Sequence, residues 1–205
     1  MGRPREHDEE ARAALRAAAE RLVAEGGTAS FSVRAVADAA GTTTRAVYSL
    51  FGSKDGLLVD ALSQSAFDFL SEHIAELDEG DDPVAGLVDV GLVFRRLVRE
   101  HPALYRIAFQ RVLPVMRAGP ELTGARTRAW EQLVAKVERL DEQGLLGDTP
   151  AHTAAVELNA MFEGLANAEL RGSVFPNLPP GEESGAVWRS AIENVIHGFA
   201  VSARV

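Results

Sequence analysis

Residues 31–54, FSVRAVADAAGTTTRAVYSLFGSK, constrain the fold more than any other stretch, because their pattern predicts two short helices that meet at a glycine. Ser32 provides a hydroxyl that can cap the first helix, and apolar residues follow it at helical spacing as far as Ala40. Gly41 can adopt the left-handed conformation that closes a helix, and a hydroxyl from residues 42–44 can start the next one. Two short helices joined by a tight turn form a helix-turn-helix, whose second helix can enter the major groove of DNA.

The second predicted helix, residues 43–51, has an apolar face and a polar face. Its apolar residues recur at helical spacing, which leaves hydroxyl, guanidinium and phenol groups on the other side. The simplest interpretation of such groups is a solvated surface, and for Tyr48 it is a phenol stacked in the core. Four of them on one short helix, directly after this kind of turn, favour DNA contact instead. The predicted DNA-binding residues in this helix and around it are Ser32, Arg34, Thr42, Thr43, Thr44, Arg45, Tyr48, Ser49 and Lys54.

Lys54 is a candidate phosphate contact because a cation is unfavourable at the positive N-terminal end of a helix. An anion bound there by Lys54 and by backbone N–H groups would remove the conflict, and a DNA phosphate fits. The alternative is an ordinary lysine at the start of a helix. Ser32 and Arg34 lie at the start of the preceding helix, where contact with the DNA backbone is the corresponding prediction.

Three consecutive segments carry a resemblance to a known family: FSVRAVADAAG at residues 31–41, TTTRAVYSLFGSK at residues 42–54 and DGLLVDAL at residues 55–62. Together they resemble the DNA-binding region of the TetR family of bacterial transcriptional regulators. The tyrosine two residues before Leu50, followed by Gly-Ser-Lys at the start of a long helix, is the most specific feature. The resemblance extends over about residues 9–62 and implies that Tyr48 contacts a DNA phosphate.

A second resemblance concerns the C-terminal part of the chain. ELNAMFEGLANAELRG at residues 157–172, with HPALYRIAF at residues 101–109, is similar to the regulatory domain of a TetR subgroup named for a Trp, His, Gly signature. Gly164 is present, whereas Asn159 and Glu163 stand where the tryptophan and the histidine are expected. Because of this departure, we do not infer the ligand of this chain from that subgroup.

The rest of the chain shows helical periodicity without strand-like alternation or internal repeats. We therefore predict an all-α fold of about nine helices. It comprises an N-terminal three-helix helix-turn-helix domain, residues 1–54, and a C-terminal helical-bundle domain for ligand binding and dimerisation, residues 55–205. The predicted helices outside the motif are residues 8–25, 55–76, 83–100, 102–108, 120–143, 150–171 and a last helix that starts at residue 180 or 182 and ends at residue 203.

A ligand pocket is predicted in the C-terminal domain from four aromatic residues and three polar ones. Asn159, Glu163 and Asn167 occupy successive turns of one helix face, where they are either solvated or line a pocket. If they line it, a carboxylate with two amides favours a polar or cationic part on an otherwise apolar ligand. The aromatic residues predicted to line the same pocket are Phe94, Phe109, Trp130 and Phe162.

The last two predicted helices carry a candidate dimer interface. Small residues four positions apart allow another helix to approach closely, and a mid-helix glycine, which costs about 1 kcal/mol relative to alanine, is otherwise unexplained. A two-fold, four-helix contact with a second copy would use both helices, and burial within the monomer is the alternative. The residues assigned to this interface are Ala160, Gly164, Ala168, Ile192, Val195 and Phe199.

The net charge of −9 is unfavourable for a protein that approaches phosphates. Residues 1–56 carry eight Lys or Arg and eight Asp or Glu, whereas residues 57–205 carry 13 and 22. The acidic excess therefore lies outside the predicted DNA-binding region. We expect specificity to come from the second helix of the motif and from dimerisation.

Several classes of protein are disfavoured. The chain has no run of 18 or more apolar residues, no apolar signal segment at MGRPREHDEE and no cysteine, so we expect a cytoplasmic protein without membrane spans or disulfides. The five histidines lack HExxH or H-x3-H spacing, and neither G-x-S-x-G nor a phosphate-binding glycine loop occurs. No metal, cofactor or catalytic residue is predicted.

These observations predict a homodimeric regulator of transcription that binds a double-stranded DNA operator. We expect a repressor that a small-molecule effector of unknown identity releases from the operator. Two alternatives remain: a ligand-free helix-turn-helix factor with an architectural or protein-interaction role, and an all-helical enzyme, which the motifs favour least.

Overall fold

The computed structural model describes residues 3–26, 31–78, 80–110, 120–172 and 175–202. Within these ranges the chain forms nine α-helices and one short 3-10 helix, Phe175–Asn177, and no strand, which confirms the all-α prediction. The helices are α1 (Arg3–Gly26), α2 (Val33–Ala39), α3 (Thr44–Phe51), α4 (Lys54–Ala75), α5 (Pro83–Glu100), α6 (Pro102–Phe109), α7 (Pro120–Glu142), α8 (Ala151–Arg171) and α9 (Ser184–Ser202).

Side-chain caps and prolines account for several helix boundaries. The Asp82 carboxylate accepts hydrogen bonds from the backbone N–H groups of Val84 and Ala85, and Pro83 occupies the first turn of α5. Helix α1 begins at Arg3, five residues before the predicted start, and Pro4 in its first turn is compatible with that start.

The chain divides into two compact units. The first unit comprises residues 1–67 and 103–125, and the second comprises residues 68–102 and 126–205. Helix α4 begins in the first unit and ends in the second. This division into packed units differs from the predicted functional division at residue 54, which concerns roles and stays a prediction.

The core of the first unit joins α1, α2 and α3 to the first half of α4 and to α6. Leu15, Val36, Val47 and Leu57 are fully buried in it. A buried ion pair also links α1 to α4, since the Arg16 guanidinium lies 2.6 Å from the carboxylate of Asp60. Burial strengthens the attraction between the two charges but costs the hydration of both. Removing either partner would therefore leave an uncompensated buried charge.

The core of the second unit is formed where α5 packs against α8 and α9. Phe94, Phe162 and Trp188 are buried with their ring centroids between 5.9 and 6.5 Å apart. Gly91 on α5 is buried beside this cluster, and it packs closely: a Cβ atom there would lie 2.3 Å from Cδ1 of Ile192.

A half-buried polar cluster holds the same three helices together. The Glu169 carboxylate on α8 accepts two hydrogen bonds from the guanidinium of Arg95, at 2.8 and 3.0 Å, and one from the indole N–H of Trp188, at 3.0 Å. The Ser184 hydroxyl also donates to it, at 3.1 Å. Because both oxygens of the Glu169 carboxylate accept hydrogen bonds, its charge is half-buried without an unsatisfied acceptor.

Helix α7 contacts the end of α4 and the following loop mainly through polar groups. Arg128 pairs with Asp68 at 2.9 Å, and the Gln132 amide donates to the backbone oxygen of Ser71 at 3.1 Å. Further along, Arg139 donates to the backbone oxygen of Gly80. No helix in the described ranges is long and apolar enough to cross a membrane.

Candidate nucleic-acid interface

The turn between α2 and α3 has the geometry predicted for a helix-turn-helix. The Ser32 hydroxyl accepts a hydrogen bond from the N–H of Ala35 at 3.1 Å and so caps α2. Gly41 closes that helix with a φ of 68°, and the Thr43 hydroxyl caps α3 by accepting from the N–H of Ala46 at 3.2 Å. The two caps leave α2 and α3 joined by four residues.

Helix α3 has one buried and one exposed face. Val47 and Phe51 are buried in the first unit, whereas Tyr48 is 54% exposed. The structure therefore rules out the alternative in which the phenol stacks in the core. The other exposed predicted residues of this face are Thr44, Arg45 and Ser49, with Thr43 exposed beside them at the cap.

Arg12 on α1 fixes the position of α3, and sequence reasoning did not single it out. Its Nη2 donates to the backbone oxygen of Leu50 at 2.8 Å, and its guanidinium lies 4.7 Å from the ring centroid of Phe51. A cation at the C-terminal end of a helix complements the helix dipole. Only the folded arrangement of α1 beside α3 identifies this contact, because Arg12 belongs to a generally polar helix surface.

The remaining predicted DNA contacts lie at the ends of neighbouring helices. Lys54 is exposed, with its Nζ 5.6 Å from the ring centroid of Phe31. Arg34 is exposed and lies 3.8 Å from the carboxylate of Asp38, which offsets part of its charge. Thr42 is half-buried in the turn. The structure therefore brings exposed hydroxyl and cationic groups together around α3.

The predicted ligand residues are placed less uniformly. Phe94 and Phe162 contact each other in the core of the second unit. Trp130 is half-buried in the second unit, whereas Phe109 belongs to the first unit, where its ring lies 5.3 Å from that of Tyr105.

The predicted polar strip on α8 is half-buried rather than fully solvated. The Asn159 amide donates to the Glu163 carboxylate at 2.9 Å, and Asn167 is half-buried one turn further on. That Asn159, Glu163 and Asn167 line a pocket stays a prediction.

The predicted dimer residues differ in how exposed they are in the single chain. Ala160 and Gly164 are exposed on α8, while Ala168 and Val195 are half-buried. Ile192 and Phe199 are buried within the single chain, so their assignment to a dimer surface is corrected: they fill the monomer core beneath α9. Two exposed apolar side chains were not predicted for this surface, Val156 on α8 and Val201 on α9, at 56% and 53% exposed.

The fold and the exposed face of α3 define a helix-turn-helix DNA-binding protein. Residues 15–61 match the family described as bacterial regulatory proteins, tetR family, and residues 87–195 match the tetracyclin repressor-like C-terminal domain. The second match covers more than half of the chain. The chain therefore belongs to the TetR family. These matches do not confirm the resemblance to the subgroup with the Trp, His, Gly signature.

Several solved structures share this fold. A protein with unknown function from Rhodococcus sp. RHA1 is 22% identical, with 93% of this chain and 95% of that chain covered and a TM-score of 0.70. The TetR family regulator PfmR from Thermus thermophilus is 23% identical, with coverage of 89% and 96% and a TM-score of 0.55. The ketosteroid transcriptional regulator KstR2 of Mycobacterium tuberculosis is 20% identical, with coverage of 91% and 93% and a TM-score of 0.53. No curated protein matches the chain.

Family membership confirms the main functional prediction. TetR family regulators combine an N-terminal DNA-binding domain with a C-terminal ligand-binding domain and are typically ligand-responsive repressors. The chain is a DNA-binding regulator of transcription of this kind. Its family consists of regulators rather than enzymes.

Proposed function

We propose that this chain acts in the cytoplasm as a homodimeric repressor, which binds paired DNA half-sites through α3 and leaves them when a small molecule binds the second unit. The observation that carries the proposal is the exposed row of Thr44, Arg45, Tyr48 and Ser49 on a helix whose other side is anchored in the core. Such a helix can enter the major groove without unfolding the domain that holds it.

The exposed side chains of α3 have different proposed roles. Arg45 is in the first turn of α3, where recognition helices contact base edges, and its guanidinium can pair with the O6 and N7 atoms of guanine. Tyr48 lies one turn after Thr44, where its hydroxyl would donate to a phosphate. Lys54 and Arg34 would contact the DNA backbone on either side.

Dimerisation is proposed to use the exposed surface of α8 and α9. Ala160 and Gly164 are small and exposed, and a Cβ atom at Gly164 would meet nothing within the single chain. Val156 and Val201 add exposed apolar area on the two helices. A two-fold contact through these residues would present two copies of α3 to half-sites about 34 Å apart.

Helix α4 is proposed to transmit the effector signal. It runs from Lys54 in the first unit to Ala75 in the second, and α7 holds its last turns through Asp68 and Ser71. An effector that binds the second unit only when α4 is in one of its positions would favour that position. The distance between the two α3 helices of the proposed dimer would then change with it. Operator affinity would fall by the ratio of the effector's affinities for the two states.

A gel-shift titration with DNA flanking the coding region tests the DNA-binding proposal. Arg45→Ala and Tyr48→Ala are expected to abolish the specific band, because each removes an exposed group of α3. Arg99→Ala removes an equally exposed arginine from α5 and is the matched control, and Glu163→Ala is likewise expected to retain the band. Specific binding that survives both α3 substitutions would overturn the proposed interface. Operator affinity that no compound changes would support the ligand-free alternative.

A further inference from the structure

One guanidinium nitrogen of a half-buried arginine in the second unit is buried without an acceptor. Nε of Arg96 on α5 is buried, and the described part of the chain offers it no hydrogen-bond partner. The preceding residue, Arg95, shows the usual solution, since it makes a bidentate contact with the Glu169 carboxylate. A buried donor that lacks a partner destabilises the folded state, and does so more when it is charged.

An aromatic ring supports this guanidinium. The Cζ atom of Arg96 lies 5.4 Å from the ring centroid of Phe69 on α4, which is a cation–π distance. The imidazole rings of His73 and His101 also contact Phe69, with centroids 4.1 and 5.2 Å from that of the phenyl ring. Nδ1 of His73 lies 2.8 Å from the Phe69 backbone oxygen, which holds that ring in place.

Two imidazoles and one guanidinium therefore lie around the Phe69 ring in the described part of the chain. The nearest acidic residues along α4 and α5 are Asp68, which is half-buried and pairs with Arg128, and the exposed Glu72, Glu76 and Glu100. None of them forms an ion pair with Arg96 in the described part of the chain. The Arg96 guanidinium thus carries a fixed positive charge beside Phe69, in a part of the chain whose net charge is acidic.

We propose that Arg96 binds an oxyanion, a carboxylate or a phosphate, carried by the small-molecule effector. The guanidinium fork matches the two oxygens of either group, and Nε is one arm of that fork. Phe69 provides an apolar surface for the adjoining part of the molecule. This inference rests on the proposed ligand-responsive function and names the class of effector.

The site differs from the one expected from the polar strip on α8. That strip favours a cationic effector group beside Glu163, but the Glu163 carboxylate already accepts a hydrogen bond from Asn159. Arg96 has no such internal partner among the described residues. Its contact with Phe69 also links the bound anion to α4, the helix proposed to transmit the signal.

The test uses the full-length protein and four probes that differ only in their head groups or lack a tail. Isothermal titration calorimetry compares sodium octanoate, octyl phosphate, octanol and inorganic phosphate. One of the two anionic probes with a tail is expected to bind at least about tenfold more tightly than octanol, because only the anion can accept from the fork. Which of the two binds more tightly identifies the oxyanion. Binding of inorganic phosphate, which has no tail, would show that the site recognises the head group without a tail.

Arg96→Gln is expected to lose at least about tenfold in affinity for that probe. Arg96→Lys keeps the charge without the fork and is expected to lose less. Arg99→Gln removes an exposed arginine from the same helix and is expected to change nothing. In the wild-type protein the Nε–H resonance of Arg96, assigned by its absence from Arg96→Lys, should shift on addition of the anionic probe, which gives a measurement independent of the variants' folding.

Equal binding of octanol and the anions, or an Arg96 resonance that none of the probes moves, would overturn the inference. Operator binding is measured separately by gel shift without any probe. If operator binding fails while the Arg96-dependent anion binding persists, the proposed regulatory function falls and the anion site stands. If the operator is bound and the anion affinity of Arg96→Gln equals that of the wild type, only the anion site falls.

Discussion

Gly41 sets the angle at which α3 leaves α2, because it is the residue of the turn with a positive φ, 68°. A side chain in this left-handed conformation costs roughly 1–2 kcal/mol in L-residues. A Cβ atom at Gly41 would meet nothing within 4 Å. Any cost of a substitution here is therefore backbone strain rather than steric overlap.

Gly41→Ala is accordingly expected to lower the free energy of unfolding by about 1 kcal/mol, measured by urea denaturation. Gly86→Ala is the matched control, because Gly86 lies within α5 and a Cβ atom there also meets nothing. Alanine in a helix interior is expected to stabilise the protein by up to about 1 kcal/mol. Equal effects of the two substitutions would contradict the assignment of strain to the turn.

The exposed residues of α3 could be predicted at this scale, whereas the residue that positions this helix could not. Arg45 and Tyr48 follow from a helical pattern of apolar positions over eight residues, which is local information. Arg12 contacts Leu50 across 38 positions of sequence. No local pattern distinguishes Arg12 from the other polar residues of α1, so its role depends on tertiary packing.

At the scale of elements, the close approach of α5 and α9 depends on the missing side chain of Gly91. A Cβ atom there would lie 2.3 Å from Cδ1 of Ile192 and 3.1 Å from Cε1 of Phe162. Both neighbours are side-chain atoms, so the helices can accommodate a methyl group only by moving buried groups. Overpacking of this kind typically costs about 1–3 kcal/mol.

Gly91→Ala is therefore expected to lower the free energy of unfolding by about 1–3 kcal/mol in urea denaturation. Ile192→Val removes the Cδ1 atom that the new methyl group would meet. The double variant is expected to lose less stability than the two single losses added together, since each change relieves the other. Strict additivity would show that the contact between α5 and α9 is not what Gly91 protects.

The helices themselves were largely predictable, but their contacts were not. Helix α5 spans the predicted residues 83–100 because a proline starts it and a regular apolar pattern continues it. The cluster around Glu169 joins Arg95 from 74 positions away and Trp188 from 19. Only the packing of α8 against α5 and α9 brings Arg95 and Glu169 together as a half-buried pair.

For the whole molecule, the proposed dimerisation would determine how tightly a DNA-binding region without net charge binds its operator. Residues 1–56 carry no net charge, so one copy gains little from the phosphate backbone. In a dimer, once one copy of α3 has bound its half-site, the linked copy meets the second half-site at a high effective concentration. This raises the affinity for the operator without new contacts. Operator binding is therefore expected to depend steeply on the integrity of the surface formed by α8 and α9.

Gly164→Leu tests this dependence, because a branched side chain on the exposed face of α8 would hold a second copy away while meeting nothing within the single chain at its Cβ atom. Analytical ultracentrifugation is expected to show a shift from dimer to monomer, and gel-shift affinity is expected to fall at least about tenfold through the loss of the second α3. Ala135→Leu places the same side chain at an exposed position of α7 and should change neither measurement. A Gly164→Leu protein that remains dimeric would place the interface elsewhere, and a monomer with undiminished operator affinity would mean that one copy of α3 suffices for recognition.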